Sequence, residues 1–374
     1  MCPPAWAADY EVPVSGTLAK AIAAANANTD GDTYEIEIAG SSADSGTVRK
    51  SASITGDSTA RLSGSLTFTG TGVKSALDNL SFTAGSGTAV TNGTLGFGEA
   101  QDLTVNNVSF SQRTGGYYGG AFANLGNTEI NGSSFTGNRG NLGGALFAEG
   151  KLTLDTSEGN ILFSGNTATN INEGGADVYL NNKETAVVIE GDTNTLSMDG
   201  GFAGVGSIDK NGANTLIFDQ NADNRLFVGD FTQTAGTTLV YADNFFGGKN
   251  TVAEGSVLHF AGNAAVNNLR LQTGGRLDLR RPGPFAANTV TITNLISDGS
   301  AVVVLQTDGT DADLLKITGS ADGMITIDVR AAGSNPTKKE IEVVNTEEAS
   351  GNAEFKLAGG KVDIGAHEYG LTHG

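Results

Sequence analysis

The sequence predicts an all-β chain wound as a right-handed parallel β-helix, a solenoid with one short capping helix at its N-terminal end. Three observations predict it. Two motifs alternate between positions 110 and 180: Phe110-Ser-Gln-Arg113, Gly119-Gly-Ala-Phe122, Phe135-Thr-Gly-Asn138, Gly143-Gly-Ala-Leu146, Phe163-Ser-Gly-Asn166 and Gly174-Gly-Ala-Asp177. The phenylalanines recur at 25 and 28 residues and the Gly-Gly-Ala triplets at 24 and 31, periods that mark a stacked-repeat protein. Apolar residues come in runs of three to five, such as Leu103-Thr-Val105 and Leu152-Thr-Leu154, separated by Asn, Gly, Asp, Ser and Thr. Those are strand and turn signals, and no apolar pattern of helical spacing competes with them in this stretch. Thirdly, 54 glycines without a Gly-X-Y period and a hydrophobic content of 38% suit a thin core that needs only a few inward residues per strand.

In chain order, Met1-Cys-Pro-Pro-Ala-Trp-Ala-Ala8 reads as a signal-peptide remnant or an irregular N-terminus, because Ala5-Trp-Ala7 has the small-x-small form of a cleavage site. The segment from Gly16 to Asn26 predicts the helix: Ser15 or Thr17 can cap it, and Leu18, Ile22 and Ala25 share one face. It precedes the first strand, Tyr34-Glu-Ile-Glu-Ile38, where a solenoid needs its open end covered. Strand-like runs follow at Ala52-Ser-Ile54, Leu66-Thr-Phe68, Asn79-Leu-Ser-Phe82 and Thr94-Leu-Gly-Phe97. Within the repeats, Phe is the inward residue of each coil. The Asn three places later ladders its amide or takes a left-handed turn, and Gly-Gly-Ala lets backbone pack where a larger Cβ would clash. After Leu180 the motifs fade while the strand pattern continues, broken only at Arg280-Arg-Pro-Gly-Pro284. Residues 9–312 are thus read as the β-helix and residues 313–374 as its C-terminal cap.

The alternation of Phe-x-x-Asn with Gly-Gly-Ala resembles the repeats of polymorphic outer membrane proteins and, more broadly, autotransporter passenger domains. Gly206-Ser-Ile-Asp-Lys-Asn-Gly-Ala-Asn-Thr-Leu216 is similar to a coil common in such passengers. The run from Asp313 through Gly365-Ala-His-Glu-Tyr-Gly-Leu371 resembles the capping, autochaperone-like region of pertactin-like passengers. The first Phe motif ends in Arg113 rather than Asn, and the third triplet continues into Asp177 rather than an aliphatic residue. The resemblance implies an exported protein at the bacterial cell surface or secreted, partnered by its own outer-membrane translocator barrel, which is not within this sequence. It implies an adhesin that contacts a host or neighbouring-cell surface protein or glycan. A carbohydrate-active β-helix enzyme and a passive surface scaffold are the alternatives.

A net charge of −19 argues against nucleic acid as a partner, since phosphate binding requires basic patches. The single cysteine, Cys2, excludes an internal disulfide framework. His259, His367 and His373 are scattered, and neither Asp30/Asp32 nor Asp308/Asp311/Asp313 has a known cation-loop spacing; no metal, cofactor or catalytic centre is expected. Gly56-Asp-Ser-Thr59 reads as a turn rather than a protease motif. Contact residues are sought instead among aromatics in polar loops and the basic cluster: Tyr117 and Tyr118, Tyr241 with Phe245 and Phe246, and Arg280 and Arg281 beside Arg276.

Overall fold

The computed structural model describes residues 10–12, 17–29, 31–94, 99–333 and 336–372. The proposed signal remnant, Ser15, Asp30, His373 and residues 95–97 of one expected strand lie outside them. The chain divides into two compact units, Met1–Ser207 and Ile208–Gly374, and both are built from parallel strands stacked coil on coil.

In the first unit each coil contributes short strands to three main faces. One face stacks Tyr34–Ile38, Ala52–Gly56, Lys74–Asp78, Asp102–Asn106, Asn127–Asn131, Leu152–Asp155 and Ala186–Glu190 in parallel register. A second runs from Ser41–Ser42 to Thr195–Met198, and a third from Gly46–Val48 to Phe202–Gly204. Strands of two to five residues suffice because side chains alternate in and out, as in the buried–half-buried alternation of Ala52–Gly56. Like residues meet like. Leu62, Phe82, Phe110, Phe135, Phe163 and Met198 pair in register up the second face. Ring centroids of the four phenylalanines lie 5.1, 4.8 and 4.6 Å apart, nearly parallel. That spacing is the strand spacing itself.

The helix spans Leu18–Ala27 and buries Leu18, Ala21, Ile22 and Ala25. Of the two expected cap residues, Thr17 is the N-cap but makes no side-chain bond, and Ala19 N–H donates to the Asp44 carboxylate at 3.2 Å. The helix also replaces a missing strand. The Asn26 amide donates to Thr47 O (2.7 Å) and accepts from Arg49 N–H (2.7 Å), so these edge groups of the third face are paired rather than left as a template for another chain.

In the second unit the strands lengthen, through Ala264–Leu271 and Thr289–Ser297 to Leu314–Ala331 with 18 residues. This last strand turns a corner: its first half pairs with Thr289–Ser297 and its second with Ala301–Thr307. The end of the chain forms an antiparallel hairpin, Val362–Ile364 against His367–Tyr369. Gly365 at φ 59° turns the chain there, a conformation glycine adopts without strain. A cavity of about 1160 Å³ lies between this hairpin and residues 336–347.

Candidate functional site

The corner that precedes the third face is built by the Gly-Gly-Ala motifs. Gly119 and Gly143 take φ of 53° and 70°. The second glycine packs on the next coil: a Cβ on Gly120 would lie 2.1 Å from Gly144 O, and one on Gly144 2.1 Å from Ala176 O. Backbones this close leave the loop side chains only one way to go. Tyr118 bridges Leu142 of the next coil through its backbone, and Tyr117 is 54% exposed.

Four rings then run along the coil axis. Tyr117 meets Tyr118 edge-on at 4.8 Å, Tyr118 meets Phe147 at 4.5 Å, and Phe147 stacks on Tyr179 at 6.0 Å. Phe147 occupies the outward position of Leu146–Ala148 yet is fully buried, flanked by the two tyrosines. Ile171, 82% exposed, belongs to the same corner one coil on. Around it Thr169 Oγ1 donates to Asn141 Oδ1 (3.0 Å), and the Asn170 amide donates to the Glu173 carboxylate (3.1 Å). Burial pushes the Tyr179 phenol above its ordinary value, helped by the Glu173 carboxylate and Tyr117 nearby.

The expected site residues separate. Tyr117 and Tyr118 lie together in this cluster, and Tyr241 is 37% exposed. Phe245 and Phe246 require a correction: both are buried, 5.7 Å from Phe260 and 5.0 Å from Phe227 respectively. They are core residues, because a run of adjacent aromatics at a coil corner lowers its energy by packing inward. Arg280 is committed too. Its guanidinium grips Asp278 with two bonds of 2.9 and 2.7 Å, and Arg276 adds a third at 3.3 Å. Burial raises the Asp278 carboxyl, but Arg280, its backbone N–H and neighbouring His259 carry it below the usual carboxylate range. Arg281 reaches Asn263 at 3.4 Å. Arg276 and Arg280 thus share one carboxylate, and Arg281 is held by an uncharged amide.

Both departures from the repeat have a structural role. Pairing of Leu146 with Val178 aligns Ala145 with Asp177, so the third triplet is offset by one residue from its apparent match. Left-handed φ falls on Gln112, Gly137 and Gly165, the residue before each ladder position. The ladder Asn residues stack inside: Asn138 N–H and its amide donate to Asn166 Oδ1 at 2.9 and 3.0 Å, and Asn166 donates to the Asp177 carboxylate at 2.9 Å. Asp177 is fully buried and also accepts from Gly200 and Gly201 N–H. At the other end Arg113, buried, sends its guanidinium to Ser63 O, Thr83 O, Ser65 Oγ and Gly87 O. An all-donor group and an all-acceptor group thus close the two ends of an amide column. The coil motif at Gly206–Leu216 works similarly: Lys210 is buried and donates to Gly212 O, Asn214 Oδ1 and Ala235 O.

Asp57, Asp308 and Asp313 each accept backbone N–H bonds. Asp57 Oδ1 accepts from Thr59 N–H and its hydroxyl. Asp308 Oδ1 accepts from Thr310 and Asp311 N–H. Asp313 is buried and pins Asn288 and Gln306 N–H. Among the described residues no three His, Cys, Asp or Glu converge as a metal site would require.

Tyr179 and Phe147 were missed as surface-cluster members. Alternation along Asp177-Val-Tyr-Leu180 did signal an outward Tyr179, but its neighbours depend on the register between coils.

Residues 266–374 match the family model described as Pertactin. The chain is similar to the autotransporter adhesin/invasin TibA of Escherichia coli O78:H11, 26% identical over 252 residues, 59% of this chain and 25% of that protein. It is similar to the autotransporter CRAC of Citrobacter rodentium, 36% identical over 147 residues, 36% of this chain and 9% of that protein. An immunoglobulin A1 protease autotransporter of Haemophilus influenzae is 29% identical over 128 residues, 33% of this chain and 7% of that protein. The matched part spans a quarter or less of the length of each.

Proposed function

We propose that this chain, an autotransporter passenger domain with a pertactin-type C-terminal part, works as an adhesin and carries no catalytic centre. Passengers of this class are anchored at the outer membrane or secreted, and the class implies an outer-membrane translocator as the chain's own partner. One observation carries the adhesin reading. The corner gathers three exposed or partly exposed tyrosines, Tyr117, Tyr118 and Tyr179, around buried Phe147, in a stretch between Val108 and Leu180 whose outward positions are otherwise mainly Thr, Ser, Asn and Gly. Aromatic anchors of this kind dominate contact surfaces, and TibA is by name an adhesin/invasin.

The test displays the passenger on a non-adherent strain and counts cells bound to epithelial monolayers and matrix proteins. Replacing Tyr117 and Tyr118 together by Ala is expected to cut adhesion about tenfold or more. Adhesion that is absent from the start, or unchanged in the variant, overturns the proposal for this site. A second reading, an enzyme, is favoured by one relative named as a protease. Sustained turnover of host proteins, or release of reducing ends or unsaturated uronides from polysaccharides, would establish it.

A further inference from the structure

We propose that the ligand of the aromatic corner is a neutral glycan, with successive sugars packed along the ring row on the accessible parts of Tyr117, Tyr118 and Tyr179, which buried Phe147 holds in place. This rests on the adhesin reading and names its ligand class. The row crosses three coils, because Tyr118, Phe147 and Tyr179 stand on consecutive ones; at ~4.8 Å per coil that is roughly 10 Å, about the length of a disaccharide. Tyrosine presents a flat apolar face with a polar tip, matching a sugar's alternation of C–H face and hydroxyl rim. The polar groups beside the rings are amides and one carboxylate: Asn141, Asn170 and Glu173. Asn141 uses its carbonyl oxygen on Thr169, and its amide carries two N–H donors. Glu173 offers acceptors to sugar hydroxyls. Recognition of vicinal hydroxyls needs such a mixture of donors and acceptors; a protein partner's apolar anchor would not.

Charge selects among glycans. Glu173 is close enough to act electrostatically on Tyr179, and the chain carries −19 overall, so sialylated, sulfated and uronic-acid glycans meet like charge at the site.

The purified passenger is applied to immobilised lactose, cellobiose, maltose and mannobiose, with sialyllactose and sulfated lactose as charged counterparts. Binding to at least one neutral sugar is expected, about tenfold weaker in Tyr117→Ala and in Tyr179→Ala. The charged counterpart should bind no better than its neutral parent at 150 mM salt and worse at low salt, where repulsion is unscreened. Tyr117 is exposed and its substitution leaves the coils intact, so it reports even if Tyr179→Ala fails to fold. No neutral sugar bound, binding undiminished in both variants relative to the wild type, or preference for the charged sugars overturns the proposal. Adhesion of displaying cells to deglycosylated monolayers separates the two levels. If it persists, the glycan class falls and the adhesin stands; if cells never adhere to untreated monolayers, the adhesin reading itself falls.

Discussion

Replacing Asp177 by Asn probes the closed end of the buried amide column. Burial raises the Asp177 carboxyl to about 7, while the Asn166 amide and Gly200 N–H draw it down, Asp199 raises it further and Gly201 N–H lowers it. In the unfolded chain an aspartate titrates near 3.9, so the folded state holds the proton over about three further pH units, worth about 4 kcal/mol. Below pH ~4 both states are protonated and the contribution is complete. As pH climbs from ~4 to ~7 only the unfolded chain releases its proton, and stability falls; above ~7 both are ionised and the loss is complete. Asp177→Asn removes this slope. Its NH₂ must face the Asn166 amide or a glycine N–H, donor against donor, as must the O–H of the protonated carboxyl. The two proteins should therefore be close in stability at pH 4, and the wild type should fall behind the variant by pH 8. Urea midpoints followed by circular dichroism, taken as the difference between the two proteins at each pH, remove the contribution of every other titrating group. A difference that stays constant from pH 4 to 8 would refute the reasoning. The three N–H donors would then outweigh burial and keep the carboxylate charged throughout.

Other consequences follow from the same packing. Phe135→Ala opens a gap in the ring stack between Phe110 and Phe163 and should cost about 3–5 kcal/mol, read as a lowered denaturant midpoint. Gly144→Ala places a Cβ 2.1 Å from Ala176 O, whereas Gly116→Ala meets nothing within 4 Å. Thermal melts should show a large loss for the first, at or above the usual ~0.5–3 kcal/mol of point substitutions, and almost none for the second. Burial lowers the Lys210 ammonium to about 8, so the folded chain sheds a proton there while the unfolded chain keeps it to about 10.4. Stability should rise with pH between those values, and Lys210→Met should abolish that rise. Burial likewise raises Asp313 to about 6, against N–H bonds from Gln306 and Asn288. Asp313→Asn should remove a loss of stability between pH ~4 and ~6.

Much of the molecule is local in origin and so legible in one dimension. A coil repeats its inward residue at its own period, which is why Phe110, Phe135 and Phe163 announced the stack that the structure contains. The parallel solenoid and the capping helix followed from the same short-range rules of alternation and turn chemistry. What the sequence did not contain was register. Nothing local distinguishes Gly174-Gly175-Ala176 from a properly aligned triplet; only the pairing of Leu146 with Val178 moves Asp177 into the buried alanine column. Phe245 and Phe246 looked like Tyr117 and Tyr118 in a polar loop, yet one pair is core and the other surface. The choice depends on whether the coil above and below leaves an inward vacancy, a property of neighbours some 25 residues away. Likewise, Arg276 and Arg280 become a clamp only once Asp278 stands between them. Inward periodicity is written along the chain, whereas the partner each side chain meets is decided by how one coil is phased on the next.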